Sequence, residues 1–160
     1  WGTLAARKLN ALRGRIGRIP RAGGWINMLG THLNIMMQEL YHTTDALEDV
    51  VAAATVLGER FGFPGLPIST PDHLSTAALA RAAGGRAFMG RPDRLVLEDI
   101  SDMLPAERVL PFQETMPAAR DRGCGVVWLA RHTSSWSVYR KAVNIHMRLL
   151  DEGLFPMRVI

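Results

Sequence analysis

Residues 31–61 read THLNIMMQELYHTTDALEDVVAAATVLGERF and make up most of the strongest periodic signal in the chain, which runs from Trp25 to about Phe61. Mostly apolar side chains recur at helical spacing and form one stripe: Leu33, Met36, Met37, Leu40, Thr44, Leu47, Val51, Ala54 and Leu57. Thr31 is a residue type that begins helices, and Gly62 is one that ends them. We therefore predict one long central helix over residues 31–61, about 45 Å long at about 1.5 Å per residue.

The segments around this helix are also predicted to be helical. Residues 3–19 repeat apolar side chains at steps of three and four, and Pro20 ends that pattern. Further helices are predicted over about residues 71–83, from Pro92 to about Leu104, and from Ser134 or Ser135 to Glu152. Prolines divide residues 63–71 and 105–122 into wrapping segments and short helical turns. Residues 125–130 favour a short strand, without an evident partner strand.

These elements predict an all-α or mainly α fold. We expect an irregular helical subunit with one long central helix, a basic N-terminal helical arm and Pro-rich wrapping segments. The arm is assigned to residues 1–24, and residues 25–160 are assigned to a single helical domain.

The charge distribution is strongly asymmetric. Residues 1–38 contain six cations and no acid, whereas the rest of the chain carries 13 Arg or Lys against 15 Asp or Glu. Such a segment suits an anionic partner, which phospholipid headgroups, RNA or an acidic protein face would supply. We therefore predict partner- or lipid-binding residues in and beside the arm: Arg7, Lys8, Arg13, Arg15, Arg18, Arg21 and Trp25.

Composition places the chain among ordered globular proteins, because 48% of its 160 residues are hydrophobic and 21% are charged. Its apolar stretches are too short for a transmembrane span. The single cysteine, Cys124, excludes an intramolecular disulfide and a site with several cysteine ligands. The sequence begins at Trp1 rather than Met, and we expect that an organellar targeting peptide has been removed.

The chemically reactive residues do not form a convincing site in the sequence. Glu39 and His42 have the Glu-x-x-His spacing of di-iron bundles, but those sites need a second such pair, which this sequence lacks. Cys124 precedes His132 by eight residues, yet its apolar neighbours favour a buried inert thiol. Residues 84–91 are glycine-rich and basic without the Gly-Lys-Ser/Thr ending of a P-loop. We predict no catalytic residue, no cofactor and no metal ligand.

One segment carries a resemblance to a known family. In order along the chain it contains Phe61-Gly62, Ala78-Leu79 with Arg81, Arg91, Arg94, and Leu104-Pro105 with Glu107. With these residues, about residues 61–108 resemble the small matrix-side helical subunit of mitochondrial ubiquinol-cytochrome c reductase. The resemblance implies a non-catalytic subunit that has no cofactor of its own and packs against a membrane-embedded partner.

The sequence thus predicts a non-catalytic accessory subunit of a mitochondrial inner-membrane respiratory complex, on the matrix side and bound to other protein subunits. The basic arm would stabilise the assembly. One alternative is a mitochondrial ribosomal protein whose arm contacts rRNA. A second alternative is a small helical metal-binding enzyme built around Glu39 and His42.

Overall fold

The computed structural model describes residues 3–21, 24–104, 110–132 and 143–157, and it shows an α/β fold. Its centre is a parallel sheet of strands β1 (Ile16–Ile19), β2 (Arg94–Glu98) and β3 (Gly125–Leu129), with β2 in the middle. The prediction of an all-α or mainly α fold is therefore wrong.

Helices connect these strands and precede the first one. Their bounds are α1 (Ala6–Arg13), α2 (Thr31–His42), α3 (Leu47–Arg60), α4 (Thr76–Phe88), α5 (Ile100–Met103) and α6 (Leu110–Asp121), with a 3-10 turn at Pro71–His73 before α4. The crossover from β1 to β2 contains α2, α3 and α4, and the crossover from β2 to β3 contains α5 and α6. Parallel strands require connections of this length.

The middle strand, β2, lies where a helix was predicted from Pro92. Leu95 and Leu97 alternate with Arg94, Val96 and Glu98, and both leucines are completely buried. Alternation with a period of two is strand geometry. The apolar residues between Pro92 and Pro105 are so few that they fit both the helical period of about 3.6 residues and the strand period of two. Pairing of β2 with a strand on each side decides in favour of β structure.

The N-terminal segment also departs from its predicted helix. Helix α1 ends at Arg13, and β1 begins at Ile16 and pairs with β2. Gly17 of β1 lies so close to the carbonyl of Ala87 that no Cβ would fit. Strand β1 is thus part of the sheet, and the predicted domain boundary at residue 24 stays a prediction.

The predicted long central helix is interrupted in its middle. Helix α2 ends at His42, and Thr43 has an extended backbone. The Thr43 hydroxyl donates to the Glu39 carbonyl over 3.0 Å and accepts from the Asp45 N–H over 3.3 Å. Short hydroxyl side chains bond the backbone in this way and compete with helix continuation. The segment therefore forms two helices that pack on each other, and the single helix of 31–61 is wrong.

Helix α4 lies between two apolar cores. One side packs on the sheet and α6, in a cluster that includes Leu95, Leu97 and Phe112. The other side contributes Ala82 to a second cluster with residues of α2 and α3. Because α4 is built largely of alanine and glycine, it can approach both layers closely.

The C-terminal part forms a hairpin where a helix to Glu152 was predicted. Strands β4 (Met147–Leu150) and β5 (Gly153–Pro156) pair antiparallel. The first part of that predicted helix, residues 134–142, lies outside the described residues.

Short helical turns were predicted over residues 105–122, and most of that segment instead forms one helix, α6. Pro117 lies inside this helix and does not end it. In the described ranges, no helix has the length and apolar character needed to cross a membrane.

Candidate functional site at the carboxyl edge of the sheet

Charged side chains gather where the three parallel strands end. Parallel strands have their carboxyl ends at the same edge, and this is where open α/β sheets bind ligands. Strand β2 ends at Glu98 and is followed by Asp99, strand β1 carries Arg18 and is followed by Arg21, and Arg131 follows β3. These five residues are called the edge cluster below.

Glu98 is held mainly by Arg18, which lies beside it on the neighbouring strand. The Nε and Nη2 atoms of Arg18 donate to Glu98 Oε1 over 3.0 and 2.7 Å. The backbone N–H of Arg21 donates to Glu98 Oε2 over 3.4 Å. The hydrogen bonds from Arg18 hold the pKa of Glu98 below its usual value, against the opposing effect of burial. The carboxylate is therefore ionised at neutral pH.

Asp99 is the more buried of the two acids and contacts two arginines. Its side chain is 9% exposed, and its Oδ2 lies 3.4 Å from Arg21 Nε and 3.2 Å from Arg131 Nε. Its backbone has a φ of 50°, in the left-handed region that aspartate tolerates better than most residues. Its N–H donates to the carbonyl of Leu129 over 2.9 Å, which ties the end of β2 to the end of β3.

The edge cluster has more positive than negative charge. Three guanidinium groups face two carboxylates, and the side chains of Arg18, Arg21 and Arg131 are 62%, 52% and 52% exposed. Each guanidinium carries five N–H donors in a planar fork. The two carboxylates thus fix the arginines, while much of each guanidinium side chain stays open to solvent. Chemically, such a group can bind an anion.

The residues predicted as partner- or lipid-binding do not lie together in the structure. Arg7, Lys8 and Arg13 lie exposed on α1. Arg18 and Arg21 belong to the edge cluster, and Arg15 forms an ion pair with Asp93.

Trp25, the last residue of that set, is half-buried, and the Arg86 guanidinium lies 4.2 Å from the centre of its ring. Partner or lipid binding by the set stays a prediction.

The other groupings considered from the sequence do not assemble into a site. Burial is the main cause that raises the pKa of Glu39, Asp45 adds to it, and His42 opposes it. Within the described ranges, no group of three or more His, Cys, Asp or Glu residues could hold a metal ion. Burial likewise raises the pKa of the Cys124 thiol. Residues 84 and 85 lie inside α4 and not in a phosphate-binding loop.

Sequence reasoning missed Glu98, Asp99 and Arg131. The signal was present: two apolar runs, at 95–97 and 125–129, are each followed within two residues by charged side chains. Read as parallel strands, these runs would have brought the charges to one edge. His132, noted only as a possible partner of Cys124, follows Arg131 and is exposed.

Comparison with known proteins gives a fold match only. No family model matches the chain, and no curated protein does either. The dimeric structure of MJ0796, a bacterial ABC transporter cassette, matches with a TM-score of 0.73 and 17% identity, covering 82% of this chain and 59% of that one. A dimeric post-hydrolysis state of the ATP-binding cassette MJ0796, bound to ADP and Pi, matches with a TM-score of 0.74 and 17% identity, covering 83% and 60%.

These matches overturn most of the functional predictions. The resemblance to a ubiquinol-cytochrome c reductase subunit is wrong, and so is the accessory role in a respiratory complex, because the matched structures are ATP-binding cassettes. The prediction of a non-catalytic protein is contradicted too, since one match is a post-hydrolysis state. The mitochondrial location is contradicted by a match described as bacterial. Neither the ribosomal nor the metalloenzyme alternative fits better.

The prediction of a protein partner agrees with the comparisons in its general form, because both matched cassettes are dimers. Nothing in them supports a lipid or an RNA partner. The chain spans about 60% of the length of the cassettes that it matches. Over the part compared, it has the fold of an ATP-binding cassette.

Proposed function

We propose that this chain forms part of a nucleotide-binding unit of the ATP-binding cassette type, which holds the phosphates of ATP at the edge cluster and acts with a protein partner. The observation that carries the proposal is the convergence of three guanidinium groups at the carboxyl ends of three parallel strands. Ligands of open α/β sheets bind at this edge. A matched cassette holds ADP and Pi, which supports the same ligand class here.

The chemistry of the cluster suits phosphate. Arginine presents paired N–H donors whose geometry matches phosphate oxygens, and charge-assisted hydrogen bonds of this kind are about twice as strong as neutral ones. Glu98 and Asp99 hold the guanidinium groups of Arg18, Arg21 and Arg131 in place before a ligand arrives. Such preorganisation reduces the entropy cost of binding.

The phosphate cradle of P-loop enzymes does not come from these residues. That cradle is a Gly-x-x-x-x-Gly-Lys-Ser/Thr loop, and neither lysine of the 160 residues follows a glycine. We therefore assign to this chain the strand-end part of a nucleotide site. ATP hydrolysis, which releases ADP and phosphate, is proposed for the protein acting as a complete cassette.

The proposed partner is another protein, as in the dimeric matches. Arg7, Lys8 and Arg13 are exposed on α1 and do not belong to the edge cluster, and we assign partner contact to them. Partner binding and phosphate binding would then use different cations of the basic N-terminal region.

Titration calorimetry with ATP tests the proposal directly. We expect the chain to bind ATP and to bind adenosine much more weakly, because the cluster recognises phosphates. Arg131→Met should weaken ATP binding by at least about tenfold, since a hydrogen bond to a charged group contributes about 1.5–3 kcal/mol. Arg60→Met is the matched control, because Arg60 is an exposed arginine at the end of α3 and lies outside the edge cluster. This variant should bind ATP with the affinity of the wild type.

Equal affinity for ATP and adenosine would contradict phosphate recognition. So would an Arg131→Met variant that keeps its fold by circular dichroism and binds ATP as well as the wild type.

A further inference from the structure

Two adjacent carboxylates at the end of a buried strand are a natural ligand pair for a divalent cation. Mg²⁺ prefers carboxylate oxygens at about 2.0–2.1 Å in near-ideal octahedral geometry, and in P-loop enzymes a strand-end aspartate helps to hold it beside the phosphates. Glu98 and Asp99 occupy such a place in the sequence of β2. Their surroundings, however, are cationic.

Three of the four carboxylate oxygens of the pair already have cationic or N–H partners: both oxygens of Glu98 and Oδ2 of Asp99. Glu98 Oε1 accepts two N–H groups of Arg18, at 3.0 and 2.7 Å, and Glu98 Oε2 accepts the backbone N–H of Arg21 at 3.4 Å. Asp99 Oδ2 lies within 3.4 Å of both Arg21 Nε and Arg131 Nε. A divalent cation that used both carboxylates would have to displace Arg18 or the Arg21 N–H from Glu98, and it would be held close to the guanidinium groups that remain on Asp99. The repulsion between a divalent cation and the neighbouring guanidinium groups therefore opposes binding of the cation at this pair.

We propose that Arg18, Arg21 and Arg131 close the Glu98–Asp99 pair to divalent cations, and that this edge recognises phosphoryl groups through guanidinium groups without a metal ion. The part about phosphoryl groups rests on the proposed function. The part about the carboxylate pair rests only on the ion pairs above.

The cluster has the means for such recognition. Arg21 and Arg131 contact Asp99 through Nε, and each guanidinium also has two terminal amino groups. Both side chains are about half exposed, so phosphate oxygens can reach them from solvent. In a metal-dependent site a metal cation bridges the carboxylates of the protein and the phosphate of the ligand. In the edge cluster the guanidinium groups would take that bridging position.

The first arm of the test measures Mn²⁺ binding by electron paramagnetic resonance, without nucleotide. The wild type and Arg60→Met should leave Mn²⁺ free. Arg18→Met and Arg131→Met each release one carboxylate from an arginine, and at least one of them should bind Mn²⁺ at least tenfold more tightly than the wild type. Two variants are used because one of them could fail to fold, which circular dichroism would reveal. Tight Mn²⁺ binding by the wild type would overturn the proposal that the arginines keep divalent cations from Glu98 and Asp99. So would a Mn²⁺ affinity that rises in none of the folded variants.

The second arm compares ATP affinity in Mg²⁺ and in EDTA. We expect the two dissociation constants to agree within about threefold. An affinity at least tenfold higher in Mg²⁺ would overturn metal-free recognition while leaving the proposed nucleotide function standing. Absence of ATP binding under both conditions would overturn the proposed function and phosphate recognition together. The Mn²⁺ measurement would still test whether the arginines keep divalent cations from Glu98 and Asp99.

Discussion

Gly84 and Gly85 lie side by side in α4, and alanine at the two positions should have different effects on stability. A Cβ on Gly84 would lie 2.7 Å from Phe61 Cδ1 and 2.8 Å from Phe112 Cζ. Both rings are fully buried, and their centres are only 4.8 Å apart. Among the residues that the structure describes, a Cβ on Gly85 would meet only Ile35 Cδ1, at 4.0 Å, which is ordinary contact.

The magnitudes follow from two opposing effects. Alanine in place of glycine inside a helix stabilises by about 0.5–1 kcal/mol, and this gain is common to both positions. Overpacking a buried site costs about 1–3 kcal/mol, and only Gly84→Ala incurs that cost. Gly85→Ala should therefore be more stable than the wild type by about 0.5–1 kcal/mol. Gly84→Ala should be less stable than Gly85→Ala by about 1–3 kcal/mol.

Thermal and urea unfolding followed by circular dichroism would measure the difference. A chain of this length shifts its Tm by about 2–4 °C for each kcal/mol. If Gly84→Ala unfolds at the same temperature as Gly85→Ala or above it, α4 does not pack on Phe61 and Phe112 as described, and the reasoning is refuted.

Three further predictions concern the middle strand and its surroundings. Leu97→Ala should destabilise the fold by about 2–5 kcal/mol in urea unfolding because Leu97 is fully buried, whereas Val127→Ala, at a 55% exposed position, should change stability by no more than about 0.5 kcal/mol. The pKa of Glu98 in the folded protein lies below its usual value of 4.5, so the ionised carboxylate stabilises the fold above about pH 4.5 and this stabilisation is lost as the pH falls toward the folded pKa. The Tm of Glu98→Gln should therefore decline less steeply below about pH 4.5 than the Tm of the wild type. Cys124 should react with a thiol reagent more slowly in the native protein than in urea, since it is 7% exposed and burial raises its pKa, and equal rates would contradict its place in the core.

Local patterns in the sequence identified parts of the fold. The apolar run at 125–129 indicated a strand, and β3 occupies it. The stripe that begins at Leu33 indicated helical structure, and α2 and α3 are helical. Its interruption depends on hydrogen bonds of Thr43 with Glu39 and Asp45, which no periodicity reveals.

The sheet could not be predicted from local patterns because its pairings are distant in sequence. Ile16 pairs with Arg94, and Arg94 pairs with Gly125. Each strand has only four or five residues, too few to separate a period of two from a helical period. Without β1 and β2 as strands, β3 had no partner and the chain was interpreted as helical.

The candidate site was missed for the same reason. Arg18 and Glu98 are 80 residues apart in sequence and contact each other only because β1 and β2 are neighbours. The sequence singled out the arginines of the N-terminal region as partner-binding residues, but three of them, Arg15, Arg18 and Arg21, form ion pairs with acids of this same chain. Charge composition alone does not indicate which acid an arginine meets.

Arginine Nε–H resonances observed by NMR during an ATP titration test most directly the claim that the carboxyl edge of the sheet binds phosphate. The resonances of Arg18, Arg21 and Arg131, assigned by single substitution, should shift in proportion to the bound fraction, while that of Arg60 stays in place. Shifts confined to other arginines, or no shift at saturating ATP, would contradict the account.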